Sequence, residues 1–455
     1  MEGMRKFMQT VQTSQVLANS KFNKFHLLVF LWCFFAITFD GYDVALYGIG
    51  LPMMMEDFNI TVVEAGAISS YSVIGTMIGT FLFGSISDVI GRKKAIAICL
   101  ILFSCFTFFS GFAPNADIFL IMRIIACMGL GGVMPILVAV MTEYAPKKIR
   151  ALTVAIMYCG YSIGAIFASL IGMYWMESLG WRFLYWISII PFIALPFFMK
   201  QFPESVSYYL RRKQGDKIAS ILNKIEPDGN YQATDKFDYK VLTESTKKLP
   251  IKKVFSDNRI ISTLAFWLAM GCSMLVITGL TTWLPKIMME SGHGLSSSLS
   301  FNLVLSLGQM TGSIFGGILV GRIGHRRVLV SMFFIGALSF VLLSLTSHTL
   351  ILYLLIALTG ACTVGTQNLV NPYVSEYYPR EIRATGLSIA VGVGRIGGIL
   401  APVAIAFLLT TNLAPQHAFM AFAIPSLLGA ISFMIVQEKY ASFDRVVQLE
   451  RRHTA

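Results

Sequence analysis

Apolar runs of about 20 residues recur along almost the whole sequence, and this pattern restricts the fold more than any other feature. A helix needs about that length to cross the hydrocarbon core of a bilayer. In lipid the backbone must satisfy its own hydrogen bonds, so the runs are expected to be helices. Only 13% of the residues are charged, about half the share of an average soluble domain. The sequence therefore predicts an all-α membrane protein.

Twelve transmembrane helices are predicted from these runs. Their limits are 26–50, 64–86, 95–113, 117–142, 153–175, 181–199, 260–284, 298–320, 327–346, 349–375, 385–410 and 416–436. The first run has the length of a span and no small-residue cleavage site follows it, so no removable signal peptide is expected. Lys and Arg collect in the loops on one side, with Arg182 and Lys286 on the other. By the positive-inside rule both termini are predicted to be cytoplasmic, with the protein in the cell (inner) membrane.

Charge and cysteine usage exclude several classes of function. The formal net charge of +12 comes from basic loops that would face anionic membrane lipid. A nucleic-acid partner is not expected because no basic folded domain with interleaved aromatic residues is present. All seven cysteines fall in apolar runs and lack the paired spacing of metal ligands, so neither disulfides nor a metal site is predicted. No cofactor is predicted either. No nucleophile–base set occurs within the spans, which argues against an enzyme.

Three motifs repeat at one constant offset. GSISDVIGRKK begins at Gly84 and GILVGRIGHRR at Gly317; EYAPKKIRA begins at Glu143 and EYYPREIRA at Glu376. Both pairs, and the Leu-Pro pairs at 51 and 284, lie 233 residues apart. A single offset indicates an internal duplication. Because both copies of the basic motifs must face one side, each half holds an even number of spans. Two parallel six-helix repeats fit.

The predicted domain organisation follows from the duplication. It consists of a cytoplasmic arm (1–25), an N-terminal six-helix bundle (26–199), a polar cytoplasmic linker with short surface helices (200–259), a C-terminal six-helix bundle (260–436) and a cytoplasmic tail (437–455). Each chain holds both halves of a central cavity, so a monomer is expected.

The motifs resemble those of a known transporter family. GSISDVIGRKK is similar to the loop signature of the major facilitator superfamily, and the two-half layout covers nearly the whole chain. FDGYD, RIIACMGLGGVMP and GVGRIGGILAP resemble the aromatic acid:proton symporters. Within that family, KFNKFH, FDGYDVALYGIGLP, GRKKAIAIC and MTEYAPKKIR are most similar to the benzoate transporters. One departure is Cys127, which stands where the fourth-span pattern usually has a glycine. The resemblance implies the major facilitator fold and transport by alternating access.

Asp40 and Asp43 lie inside the first apolar run and share one helix face at i and i+3. A carboxylate at the middle of a span costs roughly 2.5–3.5 kcal/mol on the translocon scale. Burial and a neighbouring carboxylate raise the pKa of such a group, which suits a site that loads a proton near neutral pH. The alternative is that one Asp only docks helices by pairing with Arg123, about 8 Å below the outer end of the fourth span. Arg123 is either a proton-coupling partner or a structural ion pair.

Arg395 lies about 15 Å into the eleventh span, near the bilayer midplane. No acidic residue occurs within the predicted spans of the second half. A guanidinium fork matches a carboxylate bidentately, so Arg395 is predicted to bind an anionic substrate. Pairing with backbone carbonyls or water is the alternative.

An aromatic substrate needs apolar and aromatic walls with few polar anchors. The wall candidates are Tyr47, Tyr158, Tyr161 and Trp267, and the candidates for reading ring substituents are Asn302, Gln309, Gln367 and Asn371. Each of these could instead serve packing or helix–helix hydrogen bonds.

The basic motifs predict a cytoplasmic gate. Asp88 with Arg92, and Glu143 with Arg150, could form a charge cluster that closes the inner face in the outward-open state. Glu376 and Arg383 repeat the second pair, whereas Gly321 stands where Asp88 would repeat. Constitutive loop order or lipid contact is the alternative.

The sequence favours a symporter that imports an aromatic carboxylate, with benzoate as the leading substrate. The fifth span lacks the Gly-Pro element that marks drug:proton antiporters of the superfamily. 4-Hydroxybenzoate, nicotinate and cis,cis-muconate remain alternative substrates, since a ring hydroxyl or nitrogen needs only one polar contact. A membrane sensor of aromatic acids is a different alternative, although both termini are too short for an appended signalling domain.

Overall fold

The computed structural model describes residues 11–238, 254–256, 258–379, 382–411 and 414–441. In that part of the chain, twelve helical segments are long and apolar enough to cross a membrane, which confirms the predicted all-α fold. The helices are α1 (Lys24–Phe58), α2 (Val62–Ile90), α3 (Arg92–Ser110), α4 (Ala116–Tyr144), α5 (Arg150–Leu179), α6 (Arg182–Ile187 and Ile190–Gln201), α7 (Ile260–Glu290), α8 (Leu295–Ile323), α9 (His325–Leu345), α10 (Thr349–Tyr377), α11 (Arg383–Leu409) and α12 (Ala418–Ile435).

Several helices extend by a turn or more beyond the predicted spans, most of all at the C-terminal ends of α1 and α7, which continue to Phe58 and Glu290. Polar caps define some of the N-terminal ends. Thr61 and Glu64 form a capping box at the start of α2, with the Thr61 amide donating to Glu64 Oε2 at 2.7 Å. Asn115 caps α4 by accepting from the Ile118 amide at 3.0 Å. Such caps satisfy amides that the first helical turn leaves without a partner.

The helix limits reproduce the duplication found in the sequence. α2 and α8 begin at residues 62 and 295 and end at 90 and 323, a difference of 233 at both ends. α4 and α10 begin at 116 and 349 and end at 144 and 377, again 233 apart. The turns after α2 and α8 both require glycine, because φ is +100° at Gly91 and +86° at Gly324.

Equivalent glycines also bring equivalent helices into backbone contact. A Cβ on Gly79 would lie 1.9 Å from the Met128 carbonyl oxygen, where α2 crosses α4. A Cβ on Gly312 would lie 2.4 Å from the Ala361 backbone, where α8 crosses α10. Small residues that allow close approach are typical of membrane helix pairs. The two crossings are therefore copies of one packing solution.

By contacts, the chain separates into two compact units, whose boundaries fall within α1, α2, α5 and α6. Among the described residues, the first unit comprises 11–41, 75–164 and 185–238, and the second comprises 42–74, 165–184 and the described residues from 254 onward. The predicted arm and linker meet in the first unit. There the Val11 amide donates to the Lys236 carbonyl at 2.7 Å, and Leu17 packs with the buried face of the helix Gly215–Ile225. Residues 1–10 and 239–253 lie outside the described residues.

Candidate functional site

In the first unit, Asp40 lies at the contact between α1 and α5. Its exposure is 6%, and its carboxylate lies close enough to the half-buried Tyr158 to interact with it electrostatically. Gly41 makes the contact possible, since a Cβ there would lie 1.9 Å from the Tyr161 carbonyl oxygen. The structure therefore brings together three of the predicted site residues, Asp40, Tyr158 and Tyr161.

Arg123 is also buried in the first unit, on α4. Its Nη1 donates to Thr107 Oγ1 on α3 at 3.3 Å, and its guanidinium lies 5.8 Å from the centre of the Tyr185 ring on α6. These contacts are consistent with a role in packing α3, α4 and α6. The predicted pairing with Asp43, a residue of the second unit, stays a prediction.

The part of α1 that belongs to the second unit carries Asp43 and Tyr47. Asp43 is fully buried and Tyr47 is 5% exposed. The Tyr47 hydroxyl donates to the Ala65 carbonyl on α2 at 2.6 Å. This bond fixes α1 against α2, so Tyr47 has a structural use whether or not it also contacts a substrate.

Arg395 lies one residue beyond a close contact between α7 and α11. A Cβ on Gly394 would lie 3.1 Å from Met270 Cβ, and one on Gly397 would lie 2.0 Å from the Gly271 carbonyl oxygen. The two helix backbones therefore touch on both sides of Arg395. Arg395 itself is half-buried.

Three buried polar atoms near this contact have no hydrogen-bond partner among the described residues. They are Trp267 Nε1 on α7 and two acceptors on α10, Gln367 Oε1 and Asn371 Oδ1. Gln367 is only 6% exposed, and its Nε2 donates to Met270 Sδ at 3.2 Å, which orients the amide. Gln367 and Asn371 are four residues apart and share one face of α10. An unsatisfied buried acceptor costs about 1–3 kcal/mol, so each of these oxygens would gain from a hydrogen-bond donor.

The remaining polar candidates lie on α8. Gln309 is 5% exposed beside the crossing with α10, where a Cβ on Gly360 would lie 3.2 Å from its backbone nitrogen. Asn302 is 2% exposed, and its Nδ2 donates to Ser169 Oγ on α5 at 3.0 Å. The amide of Asn302 thus makes a helix–helix hydrogen bond, which was the alternative that the sequence left open.

A set of close contacts in the second unit was not predicted from the sequence. The segments of α1, α2 and α5 in this unit pack on α7, α11 and α8. A Cβ on Gly48 would lie 2.1 Å from the Thr281 carbonyl oxygen, and Ser69 Oγ and Thr282 Oγ1 lie 3.1 Å apart. Ser70 Oγ donates to the Ile399 carbonyl at 2.6 Å. Small and hydroxyl residues give only a weak sequence signal, because the same residue types serve packing within one bundle.

The motif residues of the first half form a network around Glu143, with partners different from those predicted. Arg92 pairs with Glu143 rather than Asp88, and Arg150 Nε donates to the Ala145 carbonyl at 3.2 Å. Asp88 instead lies on an exposed face, 3.4 Å from Arg211. The start of α3 faces the end of α4, which explains why Arg92 reaches Glu143.

Glu204, which the sequence interpretation missed, completes this network. Its Oε1 accepts from the Lys93 amide at 3.0 Å, and its carbonyl accepts from the Tyr144 hydroxyl at 2.6 Å. Ser205 Oγ donates to Glu143 Oε2 at 2.8 Å. Burial raises the pKa of the neighbouring Tyr209, and the Glu204 charge raises it further. The available signal was the carboxylate of the sequence Pro-Glu-Ser at 203–205, which follows shortly after the apolar run of α6.

The equivalent residues of the second half are arranged more loosely. Glu376 lies 4.0 Å from His325 Nδ1 and is half exposed. Among the described residues no ion pair joins Arg383 to Glu376, and Arg383 Nε is buried there without a hydrogen-bond partner. In the same part of the chain, no group of three or more His, Cys, Asp or Glu residues could hold a metal ion.

Comparison with known proteins identifies the architecture. The model of the Major Facilitator Superfamily matches residues 33–308 and 301–453. The chain is 36% identical to the benzoate transport protein of Acinetobacter baylyi, over 94% of this chain and 93% of that protein. It is 30% identical to the gentisate transporter of Corynebacterium glutamicum, over 88% of this chain and 85% of that protein.

A solved structure shows the same fold at low sequence identity. The partially occluded inward-open conformation of the xylose transporter XylE from E. coli superposes with a TM-score of 0.73 at 18% identity, covering 90% of this chain and 97% of that chain. The repeated helix pairs, the spans and the family match agree with one another. The chain belongs to the Major Facilitator Superfamily and is an integral membrane transporter, not an enzyme.

Proposed function

We propose that this transporter imports benzoate, or a close aromatic carboxylate, together with protons by alternating access. The observation that carries the proposal is the uneven distribution of charge between the two halves. Buried carboxylates lie on α1, whereas the arginine on α11 is accompanied by buried polar atoms without described partners on α7 and α10. The names of the two relatives, a benzoate and a gentisate transporter, support this class of substrate.

Arg395 is the proposed anchor for the substrate carboxylate. The guanidinium fork binds a carboxylate through two parallel hydrogen bonds, which also orients the plane of the ring. Trp267 on α7 would supply an apolar face with one N–H donor, since its Nε1 has no described partner. A site with few polar anchors and apolar walls suits a flat, mostly apolar anion.

Asp40 and Asp43 are the proposed proton-loading groups. Carrying an ionised carboxylate through the membrane interior is costly, so a proton on Asp40 or Asp43 would lower the barrier to reorienting the loaded carrier. Substrate and proton would then have to bind together for the cycle to turn, and the proton gradient would drive uptake. Tyr158, which interacts electrostatically with Asp40, offers a hydroxyl near the proposed proton site.

The open oxygen of Gln367 favours a second candidate substrate, a hydroxybenzoate. The Gln367 Oε1 acceptor lacks a donor, and a ring hydroxyl would supply one. Benzoate would leave this oxygen without a donor, at a cost of about 1–3 kcal/mol unless a water molecule fills the gap. The same oxygen gives no advantage to nicotinate, whose ring nitrogen is an acceptor.

The test is uptake of labelled benzoate by proteoliposomes, with and without an inward proton gradient. Unlabelled 4-hydroxybenzoate, nicotinate and cis,cis-muconate serve as competitors, and protein-free liposomes serve as the control. Accumulation that needs the gradient and is displaced best by benzoate supports both coupling and substrate. Transport that is indifferent to protons would contradict the symport mechanism.

We infer that the carrier works as a monomer in the cell (inner) membrane with both termini in the cytoplasm. The excess of Lys and Arg in the loops that carry the two basic motifs supports this orientation.

A further inference from the structure

His325 occupies the position in the second half that Arg92 occupies in the first. Both residues open the helix after a glycine with positive φ, and their numbers differ by 233. Their partners, Glu376 and Glu143, also differ by 233. One member of a repeated ion pair has therefore changed from a permanent cation to a group that titrates near neutral pH.

The geometry makes the second pair depend on charge. His325 Nδ1 lies 4.0 Å from Glu376 Oε2, which is beyond hydrogen-bond distance. A neutral imidazole gains little from a carboxylate at that distance, whereas an imidazolium gains a Coulomb attraction. The ring also stacks on Tyr373, with centroids 5.5 Å apart and planes 16° apart, which favours a cationic ring.

Other charged groups surround His325 from each neighbouring element. Tyr373 and Glu376 belong to α10, and Glu438 follows α12 and interacts with His325 electrostatically. Arg326, the next residue of α9, lies 3.9 Å from Glu438 Oε2, and the Tyr373 hydroxyl donates to Glu438 Oε1 at 3.0 Å. Glu438 is thus shared with Arg326 and Tyr373, so Glu376 is the carboxylate left to pair with the imidazolium.

We propose that His325 is a second proton-binding site, separate from Asp40 and Asp43, and that its proton switches the His325–Glu376 pair on. The His325 side chain is 23% exposed, so water can deliver and remove the proton. Partial burial disfavours the imidazolium, so the pair forms on the acidic side of neutral pH and weakens as the imidazole loses its proton. The first half keeps its Arg92–Glu143 pair across the same range.

The test is a double-mutant cycle on the full-length transporter in detergent, read as the midpoint of thermal unfolding. The cycle uses His325→Gln, Glu376→Gln and the double variant, each at pH 5.5 and pH 8.0. We expect a coupling of about 1–2 °C at pH 5.5 and none at pH 8.0. Repeating the cycle with His325→Arg in place of the wild-type histidine should give the coupling at both pH values.

Two outcomes would overturn the proposal. One is no coupling at pH 5.5, and the other is an equal coupling at both pH values with the native histidine. If His325→Gln does not fold, Glu376→Gln alone decides the question by comparison with the wild type. Its destabilisation should then be larger at pH 5.5 than at pH 8.0, and the same at both pH values in the His325→Arg background.

Discussion

The two halves of this transporter place a glutamate opposite a basic residue at the same point of a repeated fold, yet the two glutamates are bonded differently. Glu143 binds Arg92, Ser205 and the Ser207 amide, and its side chain is 10% exposed. Glu376 faces His325 at 4.0 Å, and its side chain is 53% exposed. The difference arises because the segment after α6 supplies serines in the first half. The duplicated fold thus holds a glutamate with several hydrogen-bond partners in the first half. In the second half it holds a glutamate whose pairing depends on the protonation of a histidine.

The same asymmetry runs through the membrane interior. The first helix carries two buried carboxylates, and the equivalent positions of the second half are Ser273 and Val276, 233 residues on. The second half instead carries Arg395 beside Met270 and Gln367, where the first half has Ser162 at the equivalent position. Duplication conserved the helix crossings and left the polar residues free to diverge. Under the proposed function, the proton-loading carboxylates of the membrane interior lie in the first half and the substrate anchor lies in the second.

The largest effect is expected from Asp40→Asn, which removes the proposed proton-binding charge. Gradient-driven accumulation should be lost, because an amide cannot take up and release the proton. Exchange of substrate at equal pH should survive, since exchange does not require the proton to leave. Both are measured in proteoliposomes. The control is Asp57→Asn, which removes an exposed pair with Arg182 at 2.6 Å and should leave accumulation intact. Robust accumulation by Asp40→Asn would remove Asp40 from the proton path.

Arg395→Lys is expected to weaken substrate binding by roughly 10- to 100-fold. An ammonium keeps the charge but loses the bidentate geometry, and a charge-assisted hydrogen bond contributes about 1.5–3 kcal/mol. The measurement is the concentration of benzoate that gives half-maximal exchange. Arg182→Lys is the matched control, because Arg182 is partly exposed and pairs with Asp57. An affinity unchanged by Arg395→Lys would exclude Arg395 from the site.

Glu143→Gln and Glu376→Gln compare the two inner pairs directly. Removing the mostly buried Glu143 charge leaves Arg92 without its partner and should cost roughly 3 kcal/mol of folding free energy. Removing Glu376 should cost about 1 kcal/mol or less, because that carboxylate is half exposed. Thermal unfolding of both variants at pH 7 measures the difference. Equal destabilisation would mean that the serines after α6 add nothing to the first network.

The fold was predictable because two strong signals agreed. Apolar run length gave the twelve spans, and the 233-residue offset gave the repeat that the limits of α2, α4, α8 and α10 reproduce. The first signal is local in sequence and is enforced by the bilayer, and the second is visible when the two halves are compared directly.

For the candidate site, the sequence predicted only which polar and aromatic residues lie within the membrane, not which residues they contact. Arg395, Gln367 and Trp267 stood out because polar groups in apolar runs are rare. Partners could not be predicted, since they depend on helix rotation and crossing, as the Arg92–Glu143 pairing shows. The Ser69–Thr282 contact joins residues 213 apart through hydroxyls that are common in spans. Glu204 was missed because its hydrogen bonds use the Lys93 backbone amide and its own backbone carbonyl, which accepts from the Tyr144 hydroxyl, and the sequence marks neither group.

The smallest effect is expected from Gln367→Met, which tests whether the second half reads a ring substituent as well as the carboxylate. Methionine keeps the length of the side chain and removes the open oxygen, so discrimination between 4-hydroxybenzoate and benzoate should shift toward benzoate by about tenfold, or about 1.4 kcal/mol. The measurement is the ratio of the concentrations of the two acids that displace half of the labelled substrate. A ratio has the advantage that a general loss of activity cancels.

Asn368→Met is the matched control for that prediction. Asn368 is the next residue of α10, but its Nδ2 already donates to Ser313 Oγ on α8 at 2.9 Å. Replacing it should lower stability and leave the ratio unchanged, because its bond lies between helices. A shift in both variants would point to a change in the packing of α8 on α10. A shift in neither would mean that the second half reads the carboxylate alone, so that the open oxygen of Gln367 binds water during transport.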